Sequence, residues 1–474
     1  MTMSNKVLAL YDFASKQEYI YRTSKIKEIS GASLLLAGMY RKIPGILAPH
    51  GITLQWNMEK AFSMADFDAD AADGIVLYEG GGNLMVLFRS EEIFKASNRI
   101  LSEHILRFCP GLTMITACVK CNGSFDEDRK NLYAENARRK NAFPAYDMPA
   151  VTPMTQIDPM TFLPVVYKRS IGKKSYYPHS EVSLSADRVS KLQAYMSAGT
   201  EEKDNRLDEL EDMTAVIYID GNSMGNKLKA CADESYDEGV RKLRDFSKQV
   251  QEIYVAEPLQ AIRNAIGDGG FRKVIGGGDE ITIICEAKMA WKIVQTYFET
   301  TAKSKLILEN LSEADRKCTS CAGIAIAHAK APFSVVYEIA EAACESAKKK
   351  SRTKDGNYVD FYFCHAGVTA DFDTLRDYEQ RHATGRPYLV DDASEQFAQY
   401  APILQAAGRA NVKSLGAAAQ DSPQRYLMEV QRVNAYLPKG TEKLTGTPDE
   451  RTLVYDMAEF YDLWFAKKKE ADGQ

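Results

Sequence analysis

The chain of 474 residues lacks the features that mark membrane-spanning and exported proteins. It has no run of about 18 apolar residues, so we expect no transmembrane helix and no membrane partner. The apolar run Val7–Leu10 is too short for a signal peptide, and no small-residue cleavage site follows it. We therefore expect a cytoplasmic protein.

An excess of positive charge is also missing. The chain has 60 Lys and Arg residues against 65 Asp and Glu residues, which gives a formal net charge of −5. A basic field over the whole surface, which would attract nucleic acid, is therefore excluded. Any contact with RNA must come from local patches.

Cysteine is scarce. There are nine cysteines, an odd number, and no export signal, so we expect reduced thiols. Two CxxC pairs, at 118–121 and 318–321, have the spacing of half a zinc site. Each pair borders a strand-like apolar run, in which residues three apart point to opposite faces. The pairs are also 200 residues apart, so we expect ordinary core or surface cysteines.

The rest of the composition is that of a soluble globular protein, with 45% apolar and 26% charged residues. The length suggests about three domains. Apolar runs and glycine turns predict two copies of one α+β unit. In each copy the first strand ends in an aspartate, Asp12 or Asp220, and a later hairpin turns on three glycines, 80–82 or 276–278.

The predicted elements of both units follow the order β-α-β-β-α-β, which is the ferredoxin-like pattern. The predicted strands lie at 6–12, 74–79, 84–88 and 112–118 in the first unit, and at 215–220, 271–275, 280–285 and 320–327 in the second. Helices are predicted near 91–107, 223–232, 237–254, 288–304 and 333–350, with Pro258 as a break before a further piece.

Between the units, prolines from 144 to 178 predict an irregular segment. The charged stretch 201–211 is then either a solvated linker or a surface helix. The last hundred residues have helical periodicity. We therefore expect a first unit at 1–124, an irregular insert and linker at 125–212, a second unit at 213–370 and a C-terminal helical domain at 371–474.

Three acidic residues of the second unit are the candidate catalytic and metal-binding groups. Asp220 ends a strand, and Asp279 and Glu280 follow at the tip of the neighbouring hairpin, 59 residues later. A Gly-Gly-Asp turn alone is common, but its combination with a strand-terminal Asp-Gly and a helix start is more specific. Two Mg²⁺ or Mn²⁺ ions held by Asp220, Asp279 and Glu280 would suit nucleotide chemistry.

Small residues around these acids are the candidate nucleotide contacts. Gly277 and Gly278 leave room for a phosphate or a base near the backbone. The turn after Asp220 leads into a predicted helix whose free N–H groups suit phosphate. The candidates in this turn are Gly221, Asn222, Ser223 and Gly225.

Linked motifs in both units carry a resemblance to a known family. They are 17–21 and 24–33 in the first unit, and 218–225, 277–280, 321–328 and 340–349 in the second. On these motifs the chain resembles the large polymerase/cyclase subunit of type III CRISPR effector complexes, and more distantly the GGDEF-type diguanylate cyclases. The resemblance covers most of the chain. It implies two ferredoxin-like palm domains in tandem that face each other, with ATP between them and a cyclic oligoadenylate or related cyclic nucleotide as product.

The sequence departs from the family pattern in several places. The usual second Asp of the turn is Glu280, as in diguanylate cyclases, and no His-Asp dipeptide exists, so the family's HD nuclease is not expected. The segment 148–164 resembles the family's zinc-binding insert without cysteines, so we expect no zinc. The first-unit turn, 80–83, carries no acid, which makes a two-metal site unlikely there. Gly81, Gly82 and Asn83 then either cradle a second nucleotide or form a scaffold.

The resemblance also implies a triphosphate contact for Lys348 and Lys349, although lysines at a helix end also complement the helix dipole. We keep three hypotheses from the sequence. The first is a nucleotidyltransferase that makes a cyclic messenger from ATP or another NTP, with pyrophosphate release, in antiviral defence. The second is a silent scaffold that binds RNA or ribonucleoprotein subunits. The third is a minimal cyclic-dinucleotide synthase. The oligomeric state stays open.

Overall fold

The computed structural model describes residues 5–14, 16–21, 26–109, 112–142, 169–171, 174–176, 213–267, 270–309, 311–313, 315–364, 372–374, 376–377 and 383–466. Within these ranges, no helix combines the length and the apolar character needed to cross a membrane. The segment 148–164 and the charged stretch 201–211 of the sequence analysis lie outside the described residues.

The first unit is a five-stranded sheet with the order β2-β3-β4-β1-β5. Its strands are β1 (Val7–Ala14), β2 (Leu54–Gln55), β3 (Gly74–Gly80), β4 (Asn83–Phe88) and β5 (Thr113–Lys120). Its helices are α1 (Lys16–Ile20), α2 (Ile26–Leu47), α3 (Met64–Ala69), α4 (Glu91–Phe108) and α5 (Phe125–Ala142). Strand β1 lies between β4 and β5 and is antiparallel to both, which confirms the ferredoxin-like order.

The second unit is a six-stranded sheet with the order β13-β12-β11-β8-β10-β9. A short hairpin, β6 (Arg169–Ile171) and β7 (Lys174–Tyr176), precedes it. The sheet strands are β8 (Met213–Gly221), β9 (Phe271–Gly277), β10 (Glu280–Glu286), β11 (Ser320–His328), β12 (Tyr358–Phe363) and β13 (Tyr388–Leu389). Its helices are α6 (Met224–Lys229), α7 (Tyr236–Gln251), α8 (Glu257–Ile266), α9 (Ala290–Thr301) and α10 (Phe333–Ser351).

The C-terminal region is helical, as expected. It contains α11 (Val390–Ala407), α12 (Arg409–Asp421), α13 (Pro423–Tyr436) and α14 (Pro448–Glu459). Buried charges join it to the edge of the second sheet: Asp456 accepts hydrogen bonds from Thr384 and Tyr388 and lies 3.0 Å from the Arg386 guanidinium. The α+β class, with two ferredoxin-like units and a helical end, is therefore confirmed, whereas the exact domain boundaries stay predictions.

Strand β8 lies at the centre of the second sheet because both of its faces are apolar. Ala215, Ile217 and Ile219 pack against a core that includes α8, α9 and the C-terminal helices. Val216 and Tyr218 point to the opposite face, where they join a core shared with α10 and with the first unit. This alternation with a period of two is what a strand buried on both faces requires.

The two units interlock. Helix α7 of the second unit packs through Tyr236, Val240 and Leu243 onto the rear face of the first sheet. Arg244 of the same helix donates hydrogen bonds to the carbonyl oxygens of Val76 and Leu77, at 3.0 and 2.8 Å. These contacts of α7 with the first sheet fix the position of the second unit relative to the first.

Two sequence predictions about helices are wrong. The insert is not irregular from residue 125, since 125–142 form α5, which packs on β5 and β1. The first proline is only at 144, and acidic residues in the first turn with basic residues in the last favour the helix dipole. Pro258 does not break the helical path either. A π-helical turn, Glu252–Ala256, joins α7 to α8, and Pro258 occupies the first turn of α8, where its missing N–H costs nothing.

Candidate active site

The register of the second sheet brings the three predicted acids together. In the antiparallel pair of β8 and β10, Asp220 lies directly opposite Glu280. Asp279 immediately precedes Glu280 in the turn between β9 and β10. The three carboxyl groups therefore lie at one end of two neighbouring strands, as the sequence predicts.

Glycine is required at two positions of this site. Gly278 has φ of +66°, a conformation that residues with a Cβ rarely adopt. A Cβ on Gly221 would lie 2.9 Å from the Cβ of Asp279, so a larger residue would push the acid away. Gly277, by contrast, has nothing within 4 Å of where its Cβ would be, which leaves one side of the turn open.

Burial and mutual repulsion dominate the electrostatics of the site. Burial, followed by the charge of Asp220, raises the pKa of Asp279 to about 7. Burial, followed by Asp220 and Asp279, raises the pKa of Glu280 to about 7. The three acids therefore carry more negative charge than their surroundings compensate, and a cation would relieve it.

Lys348 is the predicted lysine that reaches the acids. Its ammonium group forms an ion pair with Asp220, and its side chain is 19% exposed. Burial opposes the charged form of Lys348, but Asp220 outweighs it and raises the lysine's pKa. Lys349 points elsewhere, to Asp373 at 3.0 Å, where both side chains are more than half exposed. Adjacent residues on a helix face different directions, which is why the prediction for Lys349 has no support here.

The approach of α10 to the sheet explains how Lys348 arrives at Asp220. A Cβ on Gly323 of β11 would overlap the carbonyl oxygen of Ala340 and the backbone nitrogen of Cys344. The glycine thus allows the helix backbone to lie directly on the strand. A larger residue would move α10, and Lys348 with it, away from the acids.

The turn after Asp220 is only partly available to a ligand. The Asn222 side chain is buried and donates to the hydroxyl oxygens of Thr319 and Ser351, both at 3.2 Å, and to the Gly356 carbonyl oxygen at 3.3 Å. It therefore ties β8 to β11 and to the end of α10. Ser223 and Gly225 are exposed, and Ser223 has φ of +59°, a strained backbone for a residue with a side chain.

The first unit has the corresponding positions with the opposite charge balance. Asp12 lies opposite Asn83 in the pair of β1 and β4, as Asp220 lies opposite Glu280. Asp12 is buried and forms ion pairs with Lys16, at 2.9 Å, and with Lys140 of α5. Burial opposes its ionisation, but the two lysines outweigh it and hold the pKa of Asp12 below its usual value. One carboxylate with two ammonium groups leaves this position positive.

The glycine turns of the two units lie against each other. A Cβ on Gly278 would lie 3.6 Å from the Cα of Gly81. Lys16 and Tyr40 hold the first-unit turn by donating to the Gly82 carbonyl oxygen, at 3.0 and 2.7 Å. Gly81, Gly82 and the acidic turn of the second unit therefore border one composite site.

Helix α1 also contributes to the site, although the sequence analysis assigned no functional role to its residues. Gln17 donates to Glu341 of α10 at 2.8 Å and to the Tyr337 hydroxyl at 3.1 Å. Lys16 lowers the pKa of Glu280 through its charge, although burial and the other acids raise it more. Gln17 stood in a quoted motif, but only the fold shows that it reaches the second unit.

The residues present fit a divalent cation in their chemistry, as an open set of oxygen donors. Within the described ranges, no three His, Cys, Asp or Glu side chains form a ready-made metal group. Asp220 is engaged by Lys348, and its charge raises the pKa of the neighbouring Asp279. The CxxC pairs provide no such set: Cys118 and Cys321 lie within strands, and all nine cysteines are free thiols.

Comparison with known proteins shows which family the second unit is similar to. Residues 213–357 match the family model described as Cas10/Cmr2, second palm domain. The second unit is therefore similar to the second palm domain of the Cas10/Cmr2 family. The matched range contains the three acids and Lys348, so the acidic part of the candidate site lies inside it. No curated protein sequence matches the chain.

The fold of the whole chain is similar to solved structures of Csm1. A Csm1–Csm4 cassette in complex with cA4 matches with a TM-score of 0.55 and 12% identity, over 97% of this chain and 70% of that chain. A cassette in complex with one ATP matches with a TM-score of 0.57 and 12% identity, over 98% and 70%. Csm1 in T. onnurineus matches with a TM-score of 0.56 and 13% identity, over 96% and 70%. At these identities the similarity concerns the fold.

Proposed function

We propose that the chain is a nucleotidyltransferase that joins ATP or another NTP into a cyclic oligonucleotide. In each step a 3′-oxygen forms a bond to an α-phosphorus and pyrophosphate leaves. The observation that carries the proposal is the cluster of Asp220, Asp279 and Glu280 in a Cas10/Cmr2 palm, facing the glycine turn of the first unit. Relatives of this fold were crystallised with cA4, cA3 and ATP, which supports the nucleotide class.

The second palm supplies the anionic half of the proposed site. Asp220, Asp279 and Glu280 would hold the divalent cations, Mg²⁺ or Mn²⁺, which when bound acidify the attacking hydroxyl and neutralise the departing pyrophosphate. Lys348, which pairs with Asp220, would contact the triphosphate. The open side of Gly277 and the exposed Ser223 and Gly225 leave room for phosphate close to the backbone.

The first palm supplies the cationic half. Asp12 with Lys16 and Lys140 leaves a positive position, which suits the phosphates of a second nucleotide without a metal ion. Gly81 has open space around it and lies beside Gly278, so a nucleotide seated there is adjacent to the acids. With its amide turned so that the nitrogen faces Asp12, Asn83 donates to the two carboxylate oxygens at 3.0 and 3.2 Å.

A protein partner is part of the proposal. Several of the matching structures contain Csm1 together with Csm4, and one of them is a subcomplex of the type III-A interference complex. We propose by this similarity that the chain works with CRISPR ribonucleoprotein subunits in antiviral signalling. Co-purification of the tagged chain with RNA or with such subunits tests this part independently of catalysis.

The decisive experiment measures pyrophosphate release from each of the four NTPs with Mn²⁺, with mass spectrometry of the products. The double variant Asp279→Asn with Glu280→Gln should abolish release, because both lost charges face the reacting phosphates. The control is Glu238→Gln with Asp245→Asn, which removes two exposed charges from α7 and should leave release unchanged.

Equal release by the wild-type chain and the active-site double variant would reject this site. Nucleotide binding without any release, with and without RNA, would instead identify a silent scaffold. Dinucleotide rings as the only product would identify the cyclic-dinucleotide synthase. The product mass therefore separates the three hypotheses of the sequence analysis.

A further inference from the structure

A lysine side chain of the protein forms an ion pair with the cluster of Asp220, Asp279 and Glu280. Among the described residues, Lys348 is the lysine or arginine that forms an ion pair with any of the three acids, and its partner is Asp220. Asp279 and Glu280 have no such partner in that part of the chain. The ammonium group of Lys348 therefore lies on the oxygen that a divalent cation would need.

The side chain of Lys348 can change its partner while its backbone stays in place. It lies near the C-terminal end of α10, on a flexible four-carbon stem, and its side chain is 19% exposed. The helix that carries it is fixed, because the backbone of α10 lies directly on β11 at Gly323. The lysine can therefore leave Asp220 for a nearby anion without any shift of the fold.

We infer that Lys348 is an exchangeable counter-ion that makes metal binding depend on nucleotide binding, an inference that rests on the proposed function. In the absence of nucleotide the ammonium group neutralises Asp220 and competes with a divalent cation. When a nucleotide is bound, the ammonium group of Lys348 forms its ion pair with the phosphates instead, and the oxygen of Asp220 becomes available to the cation.

This exchange has a thermodynamic consequence. A divalent cation and Lys348 cannot occupy the same oxygen of Asp220. A bound nucleotide that attracts Lys348 away from Asp220 therefore increases the affinity of the protein for the cation. By linkage, the cation increases the affinity for the nucleotide by the same factor. The protein then binds the metal–nucleotide pair in preference to either component alone.

Lys349 provides a matched control. It is the next residue of α10 and carries the same charge, but it pairs with Asp373 at 3.0 Å, with both side chains more than half exposed. A general effect of removing a positive charge from the end of α10 would be the same for the two lysines. An exchange at Asp220 would concern Lys348 alone.

The test is a titration of the full chain with Mn²⁺, followed by electron paramagnetic resonance, with and without α,β-methylene-ATP. Without nucleotide, Lys348→Met should bind Mn²⁺ about tenfold more tightly than the wild type, the order of magnitude of one charge-assisted contact. The analogue should tighten Mn²⁺ binding in the wild type and much less in Lys348→Met. Lys349→Met and Lys348→Arg should behave as the wild type.

The outcomes separate this inference from the proposed function. If the wild type binds Mn²⁺ with the analogue but Lys348→Met binds Mn²⁺ alone no more tightly, the exchange is refuted and the proposed function stands. If no protein binds Mn²⁺ even with the analogue, both are refuted. Should Lys348→Met not fold by circular dichroism, Lys348→Gln replaces it in the same titration with the same two criteria.

Discussion

Repulsion among the active-site acids should make the metal-free protein less stable as the pH rises, and Glu280→Gln should remove part of that loss. The pKa of Glu280 is raised to about 7 in the folded chain, from an ordinary value of 4.5. The folded state therefore keeps this proton at a pH at which the unfolded chain has lost it. The contribution of Glu280 to the free energy of unfolding therefore decreases between about pH 4.5 and pH 7 and stays constant above that range.

The size of the effect follows from the shift. A group titrating alone with this shift would lose about 3 kcal/mol of stability by pH 8. Because Glu280 shares its repulsion with Asp220 and Asp279, we expect Glu280→Gln to recover about 1–2 kcal/mol of this. Glutamine keeps the shape of the side chain and has no charge to lose, so its advantage should be larger at pH 8 than at pH 5.

The assay is thermal unfolding of the metal-free protein at pH 5 and pH 8. At pH 8 the melting temperature of Glu280→Gln should exceed that of the wild type by about 1–2 °C, and the difference should shrink at pH 5. Mn²⁺ should stabilise the wild type at pH 8 more than the variant. The exposed control Glu238→Gln should show neither effect. An equal difference at both pH values, or a variant less stable at pH 8, would refute the electrostatic reasoning.

Three further changes test other parts of the structure. Gly323→Ala should destabilise the chain by about 3 kcal/mol or more in urea unfolding, because the new methyl group meets backbone atoms of α10 that cannot move aside. Lys16→Met should cost about 1–3 kcal/mol, since buried Asp12 loses one of its two lysines, and calorimetry should show a lower melting temperature. Asp456→Ala should cost about 3–5 kcal/mol, because buried Arg386 loses a charged partner, whereas an unchanged melting temperature would contradict this account of the C-terminal contact.

Local patterns were sufficient to predict the second palm. The strands around Asp220 and Glu280 are continuous apolar runs, and the glycine turn between β9 and β10 determines which residues lie at its tip. Because antiparallel neighbours fix the register, the sequence could predict that Asp220 meets Glu280. The hairpin and the helices that flank it lie within a few residues of their predicted positions.

The roles of polar side chains in the first palm and in the turn after Asp220 could not be predicted in the same way. Asn222 has the composition of a ligand contact, but Thr319 and Ser351, about 100 and 130 residues away in sequence, occupy its amide. Asp12 forms one of its two ion pairs with Lys140 of α5. The sequence analysis did not predict this helix, because it assigned residues 125–142 to the irregular insert. Such partners are distant in sequence, and no local pattern specifies them.

The sequence by itself determined the order of strands and helices, the glycine turns and the position of three acids at one sheet edge, because these depend on periodicity, backbone freedom and strand register. Only the tertiary structure decided which cations face those acids. It selects Lys348 over Lys349, makes the first-palm position positive and joins the two palms through Gln17 and α7, because electrostatic balance depends on which distant side chains share a buried space.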